Sequence, residues 1–248
     1  MAPWTLRDSE AQLGERIFAR PLGLNEKSFY LDAQFNRTAD CIRHVFVETR
    51  ADQAQYLFGE ENVSRSWVAL KQQFPLLGSQ FEEHADGSGG VDFVVREKDL
   101  RAIGPEEIRL SSIVSFHEAE AVVDGLLNGS LELLDGPLAQ LFVLRYDTNP
   151  SRSNYFHIVF RAVHSITDGI SNINITRTFL DILSSSTDDF EVPNLEDRLS
   201  MAVASDDLDP GLELSPPRRR WRRAIARVLH SIQIPKLNVG YFTRGMYF

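Results

Sequence analysis

His164 and Asp168 are the two side chains whose types and spacing best suit chemistry, and Gly169 follows them directly. Histidine as a residue type has an unperturbed pKa near ~6.5, so it can take up a proton at neutral pH and return it. Asp168 could cap a following helix by accepting backbone N–H bonds, or hold the loop through an ion pair. A glycine leaves room for a substrate to approach closely. Because the same spacing also occurs around structural or merely exposed histidines, residues 164–169 alone leave both interpretations open.

The neighbouring segments place these residues at the end of a strand. Residues 155–163 (YFHIVFRAV) are rich in β-branched and aromatic residues and predict a strand. Residues 170–183 repeat apolar side chains on one helical face and predict a helix. Working groups of α/β proteins lie where a strand ends, because the sheet fixes the side chain while the loop leaves it accessible. This context adds support for a functional role of His164 and leaves the structural interpretation open.

The remaining periodicity predicts an α/β domain in which a mixed sheet is covered by helices. Strands are predicted at residues 41–49, 91–96, 138–146 and 155–163, with a short one beginning near Phe81. Helices are predicted at residues 60–74, 115–127 and 170–183, the first of them ended by Pro75. Residues 86–90 (DGSGG) predict a turn. This order of strands and helices is that of a layered α/β architecture.

Composition and charge limit the classes of function. The net charge of −9 over 248 residues disfavours a nucleic-acid binder, whose affinity comes largely from neutralising phosphates. No run approaches the ~20 apolar residues that cross a bilayer, and residues 1–10 do not resemble a signal peptide. Cys41 is the only cysteine, which excludes an internal disulfide and fits a reducing compartment. We therefore expect a cytoplasmic protein.

The other histidines do not indicate a metal centre. His157 and His164 are separated by an odd number of residues along one predicted strand, so they should face opposite sides of the sheet. Four further histidines lack metal-ligand spacing: His44, His84, His117 and His230. The chain also has no Walker loop, no dinucleotide-binding glycine pattern and no G-x-S-x-G elbow. We expect no metal.

Beyond residue 185 the composition changes. We divide the chain into a lobe at 1–185, an acidic linker or surface excursion at 186–215, and a basic helix followed by further chain at 216–248. Residues 216–232 place Trp221 and other apolar residues on one side, with arginines largely around the other. Such a helix can lie on an anionic membrane or bind a partner. We favour the alternative that it covers a core edge or balances the acidic segment, and expect no membrane binding.

Residues 160–169 (FRAVHSITDG) resemble the H-x-x-x-D-G signature of the chloramphenicol-acetyltransferase-like superfamily, the HxxxD acyltransferases. This group includes peptide-synthetase condensation domains, plant HxxxD acyltransferases and fungal alcohol or trichothecene O-acetyltransferases. Three further stretches are similar in the same order: residues 69–78 (ALKQQFPLLG), 136–146 (GPLAQLFVLRY) and 179–183 (FLDIL). The resemblance extends over residues 30–185 and is nearest to the fungal O-acetyltransferases of secondary metabolism.

The resemblance implies a fold of two lobes, each a sheet covered by helices, with a tunnel between them. His164 would be the general base that deprotonates an acceptor hydroxyl or amine, which then attacks an acyl thioester on coenzyme A or a carrier protein. Asp168 would point away from the substrate and orient the loop through an arginine ion pair. Gly169 would keep the tunnel open. The acyl thioester is then a co-substrate, and no bound cofactor is implied.

Departures from the family pattern qualify this expectation. Val163 stands where condensation domains carry a second histidine, which favours the acetyltransferases. Gly78 stands where an arginine is common, which leaves Arg161 as a candidate partner for Asp168. Nothing after Gly169 matches the D-F-G-W-G-like loop of the second lobe, and the resemblance implies that a crossover to that missing lobe begins at Pro235, within residues 216–248. We therefore expect an N-terminal lobe with an incomplete site: a truncated, weakly active acyltransferase, or a non-catalytic half-domain that acts by association with another lobe or a second copy.

Overall fold

The fold is that of a computed structural model, which describes residues 3–7, 15–36, 40–128, 136–146, 154–185, 194–208, 215–218, 220–222, 224–225 and 228. The strands are β1 (Thr5–Arg7), β2 (Ile17–Pro21), β3 (Asp40–Glu48), β4 (Ser79–Glu83), β5 (Val91–Arg96), β6 (Ile108–Ile113), β7 (Ala139–Tyr146) and β8 (Tyr155–Val163). The helices are α1 (Leu24–Asn36), α2 (Ala54–Leu57), α3 (Glu60–Gln73), α4 (Phe116–Asn128), α5 (Gly169–Ser184) and α6 (Leu195–Met201), with 3-10 turns at Pro75–Gly78 and Ser205–Leu208. The chain divides into two units, Met1–Ser205 and Asp206–Phe248.

The described strands of the first unit form two four-stranded sheets. One is antiparallel, in the order β1-β2-β5-β4. The other, in the order β3-β8-β7-β6, is mixed because β6 runs parallel to β7 while the other pairs are antiparallel. A parallel pair needs a crossover connection, and α4 lies in it. The predicted α/β class with a mixed sheet is confirmed, and an antiparallel sheet is added to it.

The predicted elements agree with the structure to within one or two residues at each end. Phe74, which precedes proline, leaves the helical conformation (φ −124°, ψ 78°), and Pro75 opens a 3-10 turn instead of continuing α3. The predicted turn at 86–90 joins β4 to β5 and uses positive φ angles at Gly87 and Gly89. β1, β2, α1, α2, β6 and α6 were not predicted.

β8 lies in the interior of the mixed sheet and is buried on both faces. Its even-numbered residues, among them Phe156 and Phe160, pack in one core with α3 and α5. Val159 points to the opposite face, into a second core that α4 covers. Because helices cover both faces, the sequence of the strand is an almost continuous apolar run, and its end is held in place from both sides.

His157 lies on the α4 side of β8, inside a hydrogen-bonded chain of three side chains. Its Nδ1 is 2.8 Å from Nε2 of His44, and its Nε2 is 3.1 Å from the hydroxyl of Tyr146. His157 has no exposed surface. Burial, with a smaller contribution from the charge of His44, lowers the pKa of His157 to about 4. The hydrogen bonds between His44, His157 and Tyr146 are therefore made by a neutral His157 imidazole.

This buried histidine predicts a loss of stability in acid. The pKa of His157 falls from 6.5 in the unfolded chain to about 4 in the folded one, so the unfolded chain binds more protons between those values. The buried, neutral His157 contributes fully to the free energy of unfolding above pH ~6.5. As the pH falls towards ~4 this contribution is lost, and the free energy of unfolding decreases by about 3 kcal/mol. Urea unfolding at a series of pH values measures this loss. A His157→Leu variant should show a shallower pH dependence, and parallel curves for the two proteins would contradict the assignment.

The first unit continues beyond the boundary predicted at residue 185. In α6, Leu195 and Leu199 lie four positions apart on one helical face and pack against Phe18, Val95 and Leu100. The indole N–H of Trp4 donates to the carbonyl oxygen of Ala202 at 3.0 Å. Part of the acidic segment 186–215 is therefore a packed component of the lobe, because two leucines within it complete the core of the antiparallel sheet.

The second unit is described in part. Residues 216–218, 220–222, 224–225 and 228 are helical, within the predicted basic helix, and Trp221, Ile225 and Val228 are exposed. The other residues of the predicted helix (219, 223, 226–227 and 229–232) and the crossover expected at 235–248 lie outside the described residues. Within the part of the chain that the structure describes, no helix has the length and hydropathy of a membrane span.

Candidate functional site

His164 is the first residue after β8, at a point that the chain fixes closely. Val163 pairs with Asp40 of β3 and donates its N–H to the carbonyl oxygen of Leu138 at 3.0 Å. Ile166 N–H returns to the carbonyl oxygen of Val163 at 3.1 Å, which closes a tight turn around His164. The side chain of Val163 is buried against Phe93 in a core that joins the two sheets. His164 itself is half-buried.

The imidazole of His164 lies against α1. Its ring is stacked on that of Phe29, with centroids 4.0 Å apart and planes 4° from parallel. The Nδ1 atom is buried and has no hydrogen-bond partner among the described residues. One face and one nitrogen of the ring are therefore occupied by the protein interior, which leaves Nε2 as the nitrogen for any exchange with a bound molecule.

Asp168 is the N-cap of α5. Its Oδ1 accepts the backbone N–H of Ser171 at 2.7 Å, and its own backbone is extended. That hydrogen bond, with a smaller contribution from the charge of His164, holds the pKa of Asp168 below its ordinary value. Of the two roles that the sequence allowed, the structure shows the helix cap.

Arg161 does not meet Asp168. Its Nε donates to Oδ2 of Asp40 at 2.7 Å, and both side chains are buried. The register of β8 against β3 pairs Arg161 with Ile42, two residues from Asp40, which brings the two charges onto the same face. The arginine partner suggested for Asp168 is therefore wrong, because Arg161 is already neutralised at the sheet. Burial, opposed by Arg161, raises the pKa of Asp40.

Gly169 is the first residue of α5 and is exposed. A Cβ atom built at this position would have no heavy atom of the described residues within 4 Å. The packing of this lobe therefore gives no reason for glycine here.

The residues between His164 and Asp168 fasten the turn to its surroundings. Ser165 is buried and donates its hydroxyl to the carbonyl oxygen of Glu26, in α1, at 3.1 Å. The thiol of Cys41 lies 3.7 Å from the carbonyl oxygen of Thr167. Burial raises the pKa of Cys41 to about 11, which favours the protonated thiol at neutral pH. These contacts hold the turn and perform no chemistry of their own.

α1 is attached to the antiparallel sheet by a buried ion pair. The guanidinium of Arg20 in β2 binds both carboxylate oxygens of Glu26 at 2.8 Å. The same carboxylate accepts the N–H of Gly23 at 2.7 Å, the reciprocal bond of a capping box at the start of the helix. Neither α1 nor the role of Phe29 was predicted from the sequence. The glutamate three residues after Gly23 is the signal that could have indicated where this helix begins.

A groove of about 790 Å³ lies elsewhere on the lobe. It lies beside β4, the last strand in the order of the antiparallel sheet, and is lined by Ser79, Gly104, Gly136, Glu106 and Glu107, among others. None of residues 164–169 lines it. In the described part of the chain, no group of three or more His, Cys, Asp or Glu side chains is placed to hold a metal ion.

Comparisons with known proteins identify the fold. No family model matches the chain, and no curated protein matches it. Among solved structures, it is similar to the condensation domain of the Monacolin K polyketide synthase MokA (15% identity, TM-score 0.54, covering 74% of this chain and 38% of that one). It is also similar to a double mutant of the starter condensation domain of the rhizomide synthetase RzmA (12% identity, TM-score 0.51, covering 67% and 37%). The chain thus has the fold of one lobe of a condensation domain, and spans less than two fifths of those chains.

Proposed function

We propose that this lobe serves acyl transfer from a thioester to an alcohol or amine, with His164 as the general base. The observation that carries the proposal is the placement of His164: a half-buried imidazole at the exit of β8, with one face on Phe29 and Nδ1 enclosed. An imidazole fixed in this way can present Nε2 to an acceptor at neutral pH. The fold likeness to condensation domains supports the same class of reaction.

The proposed reaction has two steps around one tetrahedral intermediate. Nε2 of His164 takes the proton of the acceptor hydroxyl or amine as its oxygen or nitrogen bonds to the thioester carbonyl carbon. The carbon–sulfur bond then breaks, the carbonyl re-forms, and the proton passes from His164 to the departing thiolate. The products are an ester or amide and a free thiol, and the imidazole returns to its neutral form.

Asp168 and Gly169 take supporting roles in this proposal. Asp168, which caps α5, fixes the start of the helix that follows the turn carrying His164. Gly169 leaves the space in front of α5 open to the acyl chain or the acceptor. The acyl donor is a thioester of coenzyme A or of a carrier protein, used as a co-substrate, and the reaction needs no bound cofactor or metal.

We include a second lobe or subunit in the proposal. Ile170 and Ile173 in the first turns of α5 expose 74% and 47% of their surfaces beside Asp168. Exposed apolar side chains next to a site are typical of surfaces that another molecule covers. In the solved condensation domains, more than three fifths of the chain lies outside the part that this lobe covers. A partner lobe would close the site and add donors for the oxyanion, which commonly contribute several kcal/mol.

Thiol release from an acyl thioester tests the proposed function. Purified chain is incubated with acetyl-coenzyme A or an acyl-loaded carrier protein and a panel of alcohols and amines. Free thiol and the ester or amide product are both measured. Release that depends on the acceptor is the expected result. Two results would exclude acyl transfer by this chain alone and favour a non-catalytic half-domain. One is thiol release that is equal with and without an acceptor, and the other is no thiol release with either donor.

A further inference from the structure

The stack between Phe29 and His164 is the contact that restricts the imidazole. Rotation of a histidine ring about its last torsion is ordinarily broad, and a hydrogen bond at Nδ1 usually fixes the orientation and tautomer of a catalytic histidine. Among the described residues, none provides that bond to Nδ1 of His164. With ring planes only 4° from parallel and centroids 4.0 Å apart, rotation of the imidazole would drive it into the phenyl ring.

The helix that presents Phe29 is tied both to the antiparallel sheet and to the turn that carries His164. Glu26, three residues before Phe29, is buried in its bidentate contact with Arg20 of β2. The carbonyl oxygen of the same Glu26 accepts the hydroxyl of Ser165, the residue after His164. Glu26 therefore holds both the helix that carries Phe29 and the turn that carries His164. Because both are attached to this one buried residue, the relative position of the two rings does not depend on a mobile loop.

Stacking also suits the chemistry that His164 performs in the proposed function. The face of a phenyl ring carries negative charge density and attracts a cation within ~6 Å of its centroid. An imidazole that has accepted a proton becomes such a cation while it stays in the same plane. Resting on the proposed function, we propose that Phe29 is the positioning residue of the site: it sets the ring plane of His164 and holds it in both protonation states.

The ring protons of His164 report this contact without any need for activity. Protons held over the face of a phenyl ring resonate upfield, so the imidazole signals of His164, assigned by their loss in His164→Gln, should be shifted in this direction. Phe29→Leu retains apolar volume without the aromatic face and should return these signals to ordinary values. Phe29→Tyr should leave them displaced. Signals that do not move in Phe29→Leu would overturn the proposal.

Kinetics of the full chain test whether the orientation matters. Phe29→Leu is expected to lower kcat by about tenfold to a hundredfold, the size expected for a misplaced catalytic group, with KM unchanged and rescue in Phe29→Tyr. Phe35→Leu is the matched control, since Phe35 lies on the same helix and is 76% exposed. A shifted ring signal with an unchanged kcat would overturn the catalytic part of the proposal. A wild-type chain without turnover would defeat the proposed function alone, and the ring-proton shifts would still decide the positioning.

Discussion

His164→Gln is expected to lower kcat for acyl transfer by about 10²- to 10⁴-fold, the usual contribution of a positioned general base. Glutamine occupies a similar volume and keeps a polar end, but its amide cannot accept a proton at neutral pH. Since the His164 ring is half-buried and no described residue bonds its Nδ1, the variant should fold normally. Initial rates of thiol release, read beside the melting temperature, separate the chemical loss from any structural one.

His117→Gln is the matched control for this substitution. His117 lies on α4, and 92% of its side-chain surface is exposed. The same chemical change at that position should leave both kcat and the melting temperature at their wild-type values. A kcat for His164→Gln within about tenfold of wild type would show that another group, or water, takes the proton.

Lys71→Met is expected to destabilise the first unit by about 3–5 kcal/mol, since it leaves a buried carboxylate without its partner. Lys71 is fully buried in α3, and its ammonium binds the two carboxylate oxygens of Glu107 at 3.0 and 2.8 Å. The same nitrogen also donates to the carbonyl oxygen of Asp99 at 2.7 Å and to that of Ala102. Without it, Glu107 retains the indole N–H of Trp67, at 2.8 Å.

Urea unfolding measures the loss, which is a large part of the ~5–15 kcal/mol that stabilises an ordinary domain. Lys98→Met serves as the control, because Lys98 pairs with Glu15 at 3.0 Å while 64% of its side chain is exposed. That variant should change the free energy of unfolding by less than about 1 kcal/mol. The double variant Lys71→Met/Glu107→Gln should recover part of the loss, since it removes the unpaired charge. Equal effects of the two lysine substitutions would contradict the buried pair.

The sequence predicted β3, β7 and β8 of the mixed sheet, and the helices α3, α4 and α5 that cover it, because these elements carry strong periodicity, whereas β6 was not predicted. β8 is an apolar run buried on both faces, and α3 repeats buried residues every three or four positions up to Pro75. The candidate site residues at 164–169 could be identified from the sequence for the same reason, because they directly follow the end of β8. Short-range spacing was enough to bring His164, Asp168 and Gly169 to one end of α5.

The first two strands of the antiparallel sheet, β1 and β2, and the helix α1 could not be predicted in this way. α1 has little amphipathic character, and polar contacts with distant residues hold it, such as the buried pair of Glu26 with Arg20 and the hydrogen bond from Tyr30 to Glu83. Phe29 reaches His164 across a long stretch of chain, so no local pattern announces it. Arg161 pairs with Asp40 because of the register between β3 and β8. This register depends on the pairing of two strands that are distant in the sequence.

The bond from Trp4 to Ala202 has a consequence for synthesis. These two residues are separated by 198 positions, and α6, just before Ala202, supplies the leucines that cover Phe18, Val95 and Leu100. At the ~5–20 residues per second of translation, Trp4 is added to the chain about 10–40 s before its acceptor residue. The mixed sheet has all its strands after β8 and needs only α5 to complete its core. The core of the antiparallel sheet, although the sheet contains β1, is therefore the last core of the lobe to be completed during synthesis.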